Sequence, residues 1–375
     1  MKGQKMLSTD FADWRRLGWL CLCAIALIVA PAVADDDNRA GYVLAPKAFR
    51  AAMGKVMPSV VTIETFGGIV ARPKKGGRGQ IRGISKPGEG PTTGVIVSPD
   101  GYIITSTYNF IRKPAIITVI LDDGSQHVAR LLGRDDTRKI CLLKIDGVKD
   151  LPVPPAAPVD SLRVGQWSVS VGVGYGGDDP AMSVGIISAR NRIFGKAVQT
   201  DANTSPANYG GPLIDIEGRV IGICVPLSPR SGQTAAGVEW YDSGIGFAVP
   251  LDGADRLIDQ MKKGKVIVPG RIGVMPKAVK GGGVGINKVV ENSPGAKAGI
   301  KANDVIIAVN GEKILDLMQL RSKLGRYVAG DTIKLTIKRG DKEMEVEVTL
   351  SKGTDVPAPK RPTPPGKKIP VPKKK

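Results

Sequence analysis

Histidine is all but missing from this 375-residue chain: His127 is the only one. Chemistry that needs an imidazole base therefore rests on that one ring or does without it. Aromatic residues make up only 5%, and no nucleic-acid motif or base-stacking platform can be recognised, which disfavours nucleic acid as a partner. Acidic residues are short as well, 35 against 54 basic ones, giving a formal net charge of +19 and an expectation of anionic partners. The apolar run Leu17–Ala30 falls short of the roughly 20 residues of a membrane span. Cysteine is limited to Cys21, Cys23, Cys141 and Cys224. No cofactor and no metal are expected.

What is present reads as globular: 42% apolar and 24% charged residues, and length for two or three domains. The start combines Lys2, Lys5, Arg15 and Arg16 with the apolar run and Ala32-Val33-Ala34, which reads as a secretory signal, residues 1–34, cleaved after Ala34. Arg15-Arg16 fits twin-arginine export, and a retained membrane anchor is the alternative. Cleavage removes two cysteines. Cys141 and Cys224 lie in the apolar runs ICLLKI and VIGICV, which read as buried thiols, while an export compartment also allows a disulfide between them.

Lys47 to Met57 has helical spacing, and the β-branched run Ser59 to Thr65 reads as a first strand. Residues 67–94 turn to Gly, Pro, Lys and Arg and read as a long mobile loop, carrying Arg72, Lys74, Lys75, Arg78, Arg82 and Lys86. From Val95 to Val249, short strands alternate with turn signals, the pattern of an antiparallel barrel or sandwich. Leu251 to Lys263 is helical in spacing and leads into residues 266–352, a small mixed unit with helices at Pro294–Ala298 and Leu315–Leu324. From Lys352 onward there are seven prolines, eight basic residues and one acid, so residues 353–375 read as a disordered cationic tail.

The segments GYIITSTYNF (101–110), DDTRKICLLKI (135–145), NTSPANYGGP (203–212) and GIGFAVP (244–250) together resemble a chymotrypsin-like serine protease of the HtrA (DegP) type. The resemblance covers nearly the whole exported chain. It implies a mainly β fold, two antiparallel barrels over residues 35–265, and puts Tyr108, Lys139 and Tyr209 at the three triad positions. Ala207 falls where the family has an oxyanion-hole glycine. A phenol with an ordinary pKa near 10 and no base beside it is a poor nucleophile toward an amide, so the expectation is an inactive homologue, not an enzyme. A packed cluster of the two tyrosines and Lys139 is expected in its cleft. The alternative is an active serine endopeptidase with a displaced set, with Lys139 acting on Ser106, Thr107 or Ser205, or with His127 as a displaced base.

Residues 266–352 resemble an HtrA-type PDZ domain, most specifically in VVENSPGAKAGIKANDVIIAVNGEKI (289–314). The resemblance implies that Gly270, Arg271, Ile272, Gly273 and Val274 capture a peptide carboxylate beside a helix presenting Leu317, Leu320, Arg321 and Leu324. The partners implied are C-terminal or unfolded peptide segments of envelope proteins, active HtrA relatives, and further copies in a homotrimer. The basic loop and tail suggest an anionic membrane or wall surface. The resulting expectation is an exported, periplasmic binding protein with a scaffold, chaperone-like or regulatory role. An electrostatic binder of envelope surfaces is a further alternative.

Overall fold

The computed structural model describes residues 36–67, 91–174, 176, 179–227 and 244–352. The segment 1–34 expected to be a signal, most of the basic loop and the segment 353–375 lie outside the described residues. A helix, α1, runs Asp36–Val56 with Pro46 inside it, starting earlier than the spacing of Phe49, Met53 and Val56 predicts. No helix among the described residues is long and apolar enough to cross a membrane.

Six strands follow: β1 Val60–Phe66, β2 Thr92–Ser98, β3 Tyr102–Ser106, β4 Ile116–Ile120, β5 Gln126–Asp135 and β6 Ile140–Ile145. They pair in the order β5-β4-β1-β2-β3-β6, and β5 also pairs with β6, closing a barrel. Thr92 to Gly94, which by composition read as the end of the basic loop, belong to β2 and are buried, because their register against β1 carries them into the barrel. β-Branched residues dominate the interior, with Val61, Ile63, Ile96 and Ile103 packed on Leu143 and Ile145.

A second closed barrel is built from β7 Trp167–Gly172, β8 Ala181–Asn191, β9 Ala197–Thr200, β10 Pro212–Ile214, β11 Val220–Cys224 and β12 Gly246–Pro250. The seam between the barrels is apolar: Val95, Ile104 and Leu142 share one cluster with Ile223, Phe247 and Val249. Helix α2, Asp255–Lys262, adds Leu257, Ile258 and Met261 from one face to the same cluster. A two-residue strand, β13 Val266–Ile267, pairs in parallel with β5 and hands the chain on to the next module.

That module holds β14 Gly270–Arg271, β15 Val274–Lys277, β16 Val284–Val289, helix α3 Pro294–Lys297, β17 Val305–Val309, β18 Glu312–Lys313, helix α4 Leu317–Leu324, β19 Thr332–Arg339, β20 Lys342–Thr349 and β21 Ser351–Lys352. Its main sheet runs β15-β16-β17-β19-β20, and β14 pairs with β21. Alternation in TIKLTIKR puts Ile333, Leu335 and Ile337 inward beside Ile272, Ile286 and Leu320. Together the elements are mainly β: a chymotrypsin-like double barrel followed by a small α+β module.

One buried charge in this module makes its stability pH-dependent. Asp304 accepts from Arg339 Nε at 2.7 Å and Nη2 at 2.8 Å, and from Lys301 N at 2.7 Å. The Arg339 hydrogen bonds, helped by Lys301, hold the carboxyl below its ordinary value against the opposing effect of burial. A depressed folded-state value means the stabilisation is full above the unfolded carboxylate range and is lost as pH falls through the folded one. Asp304→Ala is expected to cost about 1.5–3 kcal/mol at pH 7. The urea midpoint should fall less between pH 7 and pH 3 in Asp304→Asn than in the native chain; an identical pH slope would reject the assignment.

Candidate functional site

Two places collect the residues singled out by sequence. The first is the cleft at the seam of the barrels, where the loop Asn203–Gly211 faces β2, β3 and the short turn Thr107–Phe110. The loop is wound tightly by its own polar groups. Asn208 N and Tyr209 N donate to Ser205 O at 3.0 and 3.1 Å, and Ser205 N donates to Asn208 Oδ1 at 2.8 Å. Ala207 N donates to Ser205 Oγ at 3.3 Å. Thr93 Oγ1, on β2, donates to Ala207 O at 3.0 Å and accepts from Val173 N at 2.9 Å, so one hydroxyl ties the loop across the seam.

Tyr108 and Tyr209 meet inside this cleft. Their ring centroids are 5.4 Å apart and the planes stand at 71°, an edge-to-face pair, and both side chains are buried. Asn109 Nδ2 donates to Thr105 Oγ1 at 3.0 Å and to Tyr209 O at 3.3 Å. Lys139, in a left-handed conformation with φ 62°, is tied through its carbonyl, which accepts from Thr107 N at 2.9 Å and Ser106 Oγ at 3.3 Å. Among the described residues, the cation–π contacts are those of Lys144 and Lys262 on Tyr102, and Lys139 makes none with the two rings. Its charge also acts repulsively on Lys196.

His127 is remote from this cleft in pairing, on β5 opposite Val119 beside the β4–β5 turn. Its Nε2 is 3.1 Å from Ser125 Oγ, while Asp123 Oδ1 accepts from Ser125 N at 2.9 Å. The carboxylate thus orients the serine of a turn. Cys141 and Cys224 are free and buried rather than bridged. Burial pushes the Cys224 thiol up to about 12 and the Cys141 thiol higher still, which leaves both unreactive.

The second place is a groove of roughly 650 Å³ between the Gly270–Val274 segment and α4. All nine residues assigned to it from sequence line it, with Leu317, Leu320, Arg321 and Leu324 along the helix side. Gly273 has φ 82°, and a Cβ there would run into the Ser293 side chain, so only glycine fits the turn. Ser293 caps α3 by accepting from Ala296 N at 3.3 Å and donates to Gly273 O at 3.2 Å, while Ile272 O accepts from Gly295 N at 2.7 Å.

Phe194 and Lys196 line the same groove, although they belong to the β8–β9 connection of the second barrel. Asn191, Ile193, Phe194 and Gly195 all have positive φ, between 51° and 75°. A Cβ on Gly325, just after α4, would collide with Phe194 O, so two backbones touch at this point. Arg138 Nη2 donates to Arg326 O at 3.1 Å close by. Sequence reading missed Phe194 and Lys196, since NRIFGKA carries no signal linking it to residues 266–352.

A trypsin-like peptidase domain matches residues 92–223, and a PDZ domain matches residues 270–350. A probable periplasmic serine endoprotease of DegP-like type from Chlamydia pneumoniae is 32% identical over 338 residues, covering 79% of this chain and 67% of that protein. The chain belongs to the DegP-like family. The DegP-like relative from Brucella suis biovar 1 is 35% identical over 278 residues, 69% of this chain and 52% of its own. Apart from the Chlamydia pneumoniae protein, the chain spans little more than half the length of such relatives. Among solved structures, an HtrA-type protease, AlgW with tripeptide, superposes with a TM-score of 0.61 at 25% identity, covering 81% of this chain and 96% of its own. The serine endoprotease from Yersinia pestis gives 0.55 at 27%, covering 81% and 97%.

These likenesses correct one expectation. The chain was expected to be no enzyme, but its DegP-like relatives are named serine endoproteases and its solved neighbours HtrA-type proteases, which points toward protease activity. Physically, replaced side chains at three positions do not strip hydroxyls from a cleft that still holds Thr93, Thr105, Ser106 and Ser205. The DegP-like relatives are named periplasmic, which places this chain as an exported, periplasmic protein.

Proposed function

We propose that this DegP-like protein captures exposed C-terminal or unfolded segments of envelope proteins in the PDZ groove, beside the trypsin-like double barrel. The observation that carries this reading is the convergence on one apolar groove of the pinned Gly270–Val274 turn and the leucines of α4. With the carbonyls of Ile272 and Gly273 committed to the body of the module, the turn offers its amide edge to a carboxylate. The tripeptide and decapeptide present in AlgW structures support the same use of the fold.

The test is a fluorescence anisotropy titration of the full chain with a labelled decapeptide ending in leucine, beside the same peptide amidated. Losing the carboxylate is expected to weaken binding about tenfold or more, since a hydrogen bond to a charged group contributes about 1.5–3 kcal/mol. Equal affinity for both peptides, or binding of neither, would reject carboxylate capture.

Endopeptidase action on captured chains is the second reading, favoured by the names of the relatives. Digestion of unfolded casein with and without a serine-directed covalent inhibitor tests it, and mass mapping of the adduct identifies the hydroxyl used. Cleavage abolished by an adduct in the cleft supports the reading; intact casein and an unlabelled chain restrict the protein to capture.

A further inference from the structure

The ionisable side chains lining the PDZ groove are one-sided. Lys196, Arg271 and Arg321 line it, and no aspartate or glutamate does. Several cations elsewhere in the described structure are ion-paired, among them Arg138 with Asp135, Arg256 with Asp331 and Arg339 with Asp304. Helix α4 shows the contrast within a single element. Lys323 and, just past its end, Arg326 share Glu312, whereas Arg321 has no carboxylate partner among the described residues. The same holds for Arg271 and Lys196.

We infer that the groove selects acidic peptides, those whose last residue is apolar and whose preceding residues carry Asp or Glu, through Arg271 and Arg321 of the PDZ module and Lys196 of the second barrel. This rests on the peptide-capture reading and adds the ligand's chemical class. The floor of Leu317, Leu320 and Leu324 suits one apolar side chain, and the cations at the rim suit carboxylates beyond it. Lys196 is carried to the rim by the left-handed turn 191–195 and held there by its own amide, which donates to Arg192 O at 3.0 Å. Burial, reinforced by the charges of Arg138 and Lys139 and opposed by Asp135, pushes its ammonium below the ordinary lysine value. An incoming carboxylate would offset that repulsion, and a basic peptide would add to it. The barrel thereby takes part in selecting what the PDZ module holds.

The experiment uses the full chain and three labelled decapeptides with one C-terminal leucine, differing only in two upstream residues: both Glu, both Gln or both Lys. At low salt the Glu peptide is expected to bind about tenfold tighter than the Gln peptide, with the Lys peptide weakest, and the spread should narrow at high ionic strength. Lys196→Gln and Arg321→Gln should each shrink the Glu-to-Gln ratio about threefold, whatever each does to the affinity for the Gln peptide, with the melting temperature unchanged. Equal affinities for all three peptides would overturn the charge selection and leave capture standing; binding of none would overturn both. A ratio unmoved in Lys196→Gln would overturn the part assigned to the barrel.

Discussion

Replacing Asp135 with alanine is expected to lower the stability of the protein by about 3–5 kcal/mol, the typical cost of stranding a buried charge. Asp135 is fully buried at the end of β5. Its carboxylate accepts from Thr137 N at 2.8 Å, Arg138 N at 3.0 Å and Arg138 Nη1 at 2.8 Å. Alanine would leave the Arg138 guanidinium, only 6% exposed, without its anion. The same guanidinium donates to Arg326 O, so the loss spreads from the β5–β6 turn to the contact between barrel and PDZ module. A fall in melting temperature on the order of 10 °C follows from the usual scaling for domains of this size. Asp135→Asn keeps both backbone contacts through its amide oxygen and should lose less. A urea-midpoint change worth under 1 kcal/mol in Asp135→Ala would contradict the assignment.

Tyr209→Ala is expected to cost a similar amount, about 3–5 kcal/mol, as for other large buried aromatics. The ring is 3% exposed and stands edge-to-face on Tyr108, at the centre of a loop whose backbone is already committed to Ser205 and Asn109. Tyr209→Phe, which keeps the ring, should cost far less. A double-mutant cycle with Tyr108→Ala should return a coupling of about 0.5–1.5 kcal/mol. Additive single losses would show that the two rings do not stabilise each other. The result also bears on activity measurements: a Tyr209→Ser chain must be compared with the native one at a temperature where both are folded.

Much of the architecture can be read from local pattern. Alternation in TIKLTIKR and EMEVEVT becomes β19 and β20, and the β-branched run after Ser59 becomes β1. The motif segments around Tyr209 and Gly270–Val274 fold as a tight loop and a turn, because both are short stretches whose conformation depends on their own glycines and polar side chains. Helix α1 shows where local reading stops. Its start at Asp36, with Pro46 inside, is not visible in the apolar spacing that begins at Phe49.

The functional surfaces divide in the same way. The family pattern identified Tyr108, Lys139 and Tyr209 as neighbours of one cleft, and the structure adds how they are held: two rings in contact, and Lys139 bonded through its carbonyl to Ser106 and Thr107. The inference from those substitutions to a chain without enzymatic activity failed against the family's named activity, since side-chain identity at three positions says nothing of the other hydroxyls around them.

By itself the sequence determined the periodicities, the glycine-dependent turns, the basic excess and the family. These are properties of residues a few positions apart, or of composition. Tertiary structure alone decided that Phe194 and Lys196 join the PDZ groove. Ile193 and Phe194 adopt left-handed backbone conformations that such side chains disfavour locally. The chain accepts that cost where Gly325 lets the two backbones meet, a contact between segments far apart in sequence that no local pattern encodes.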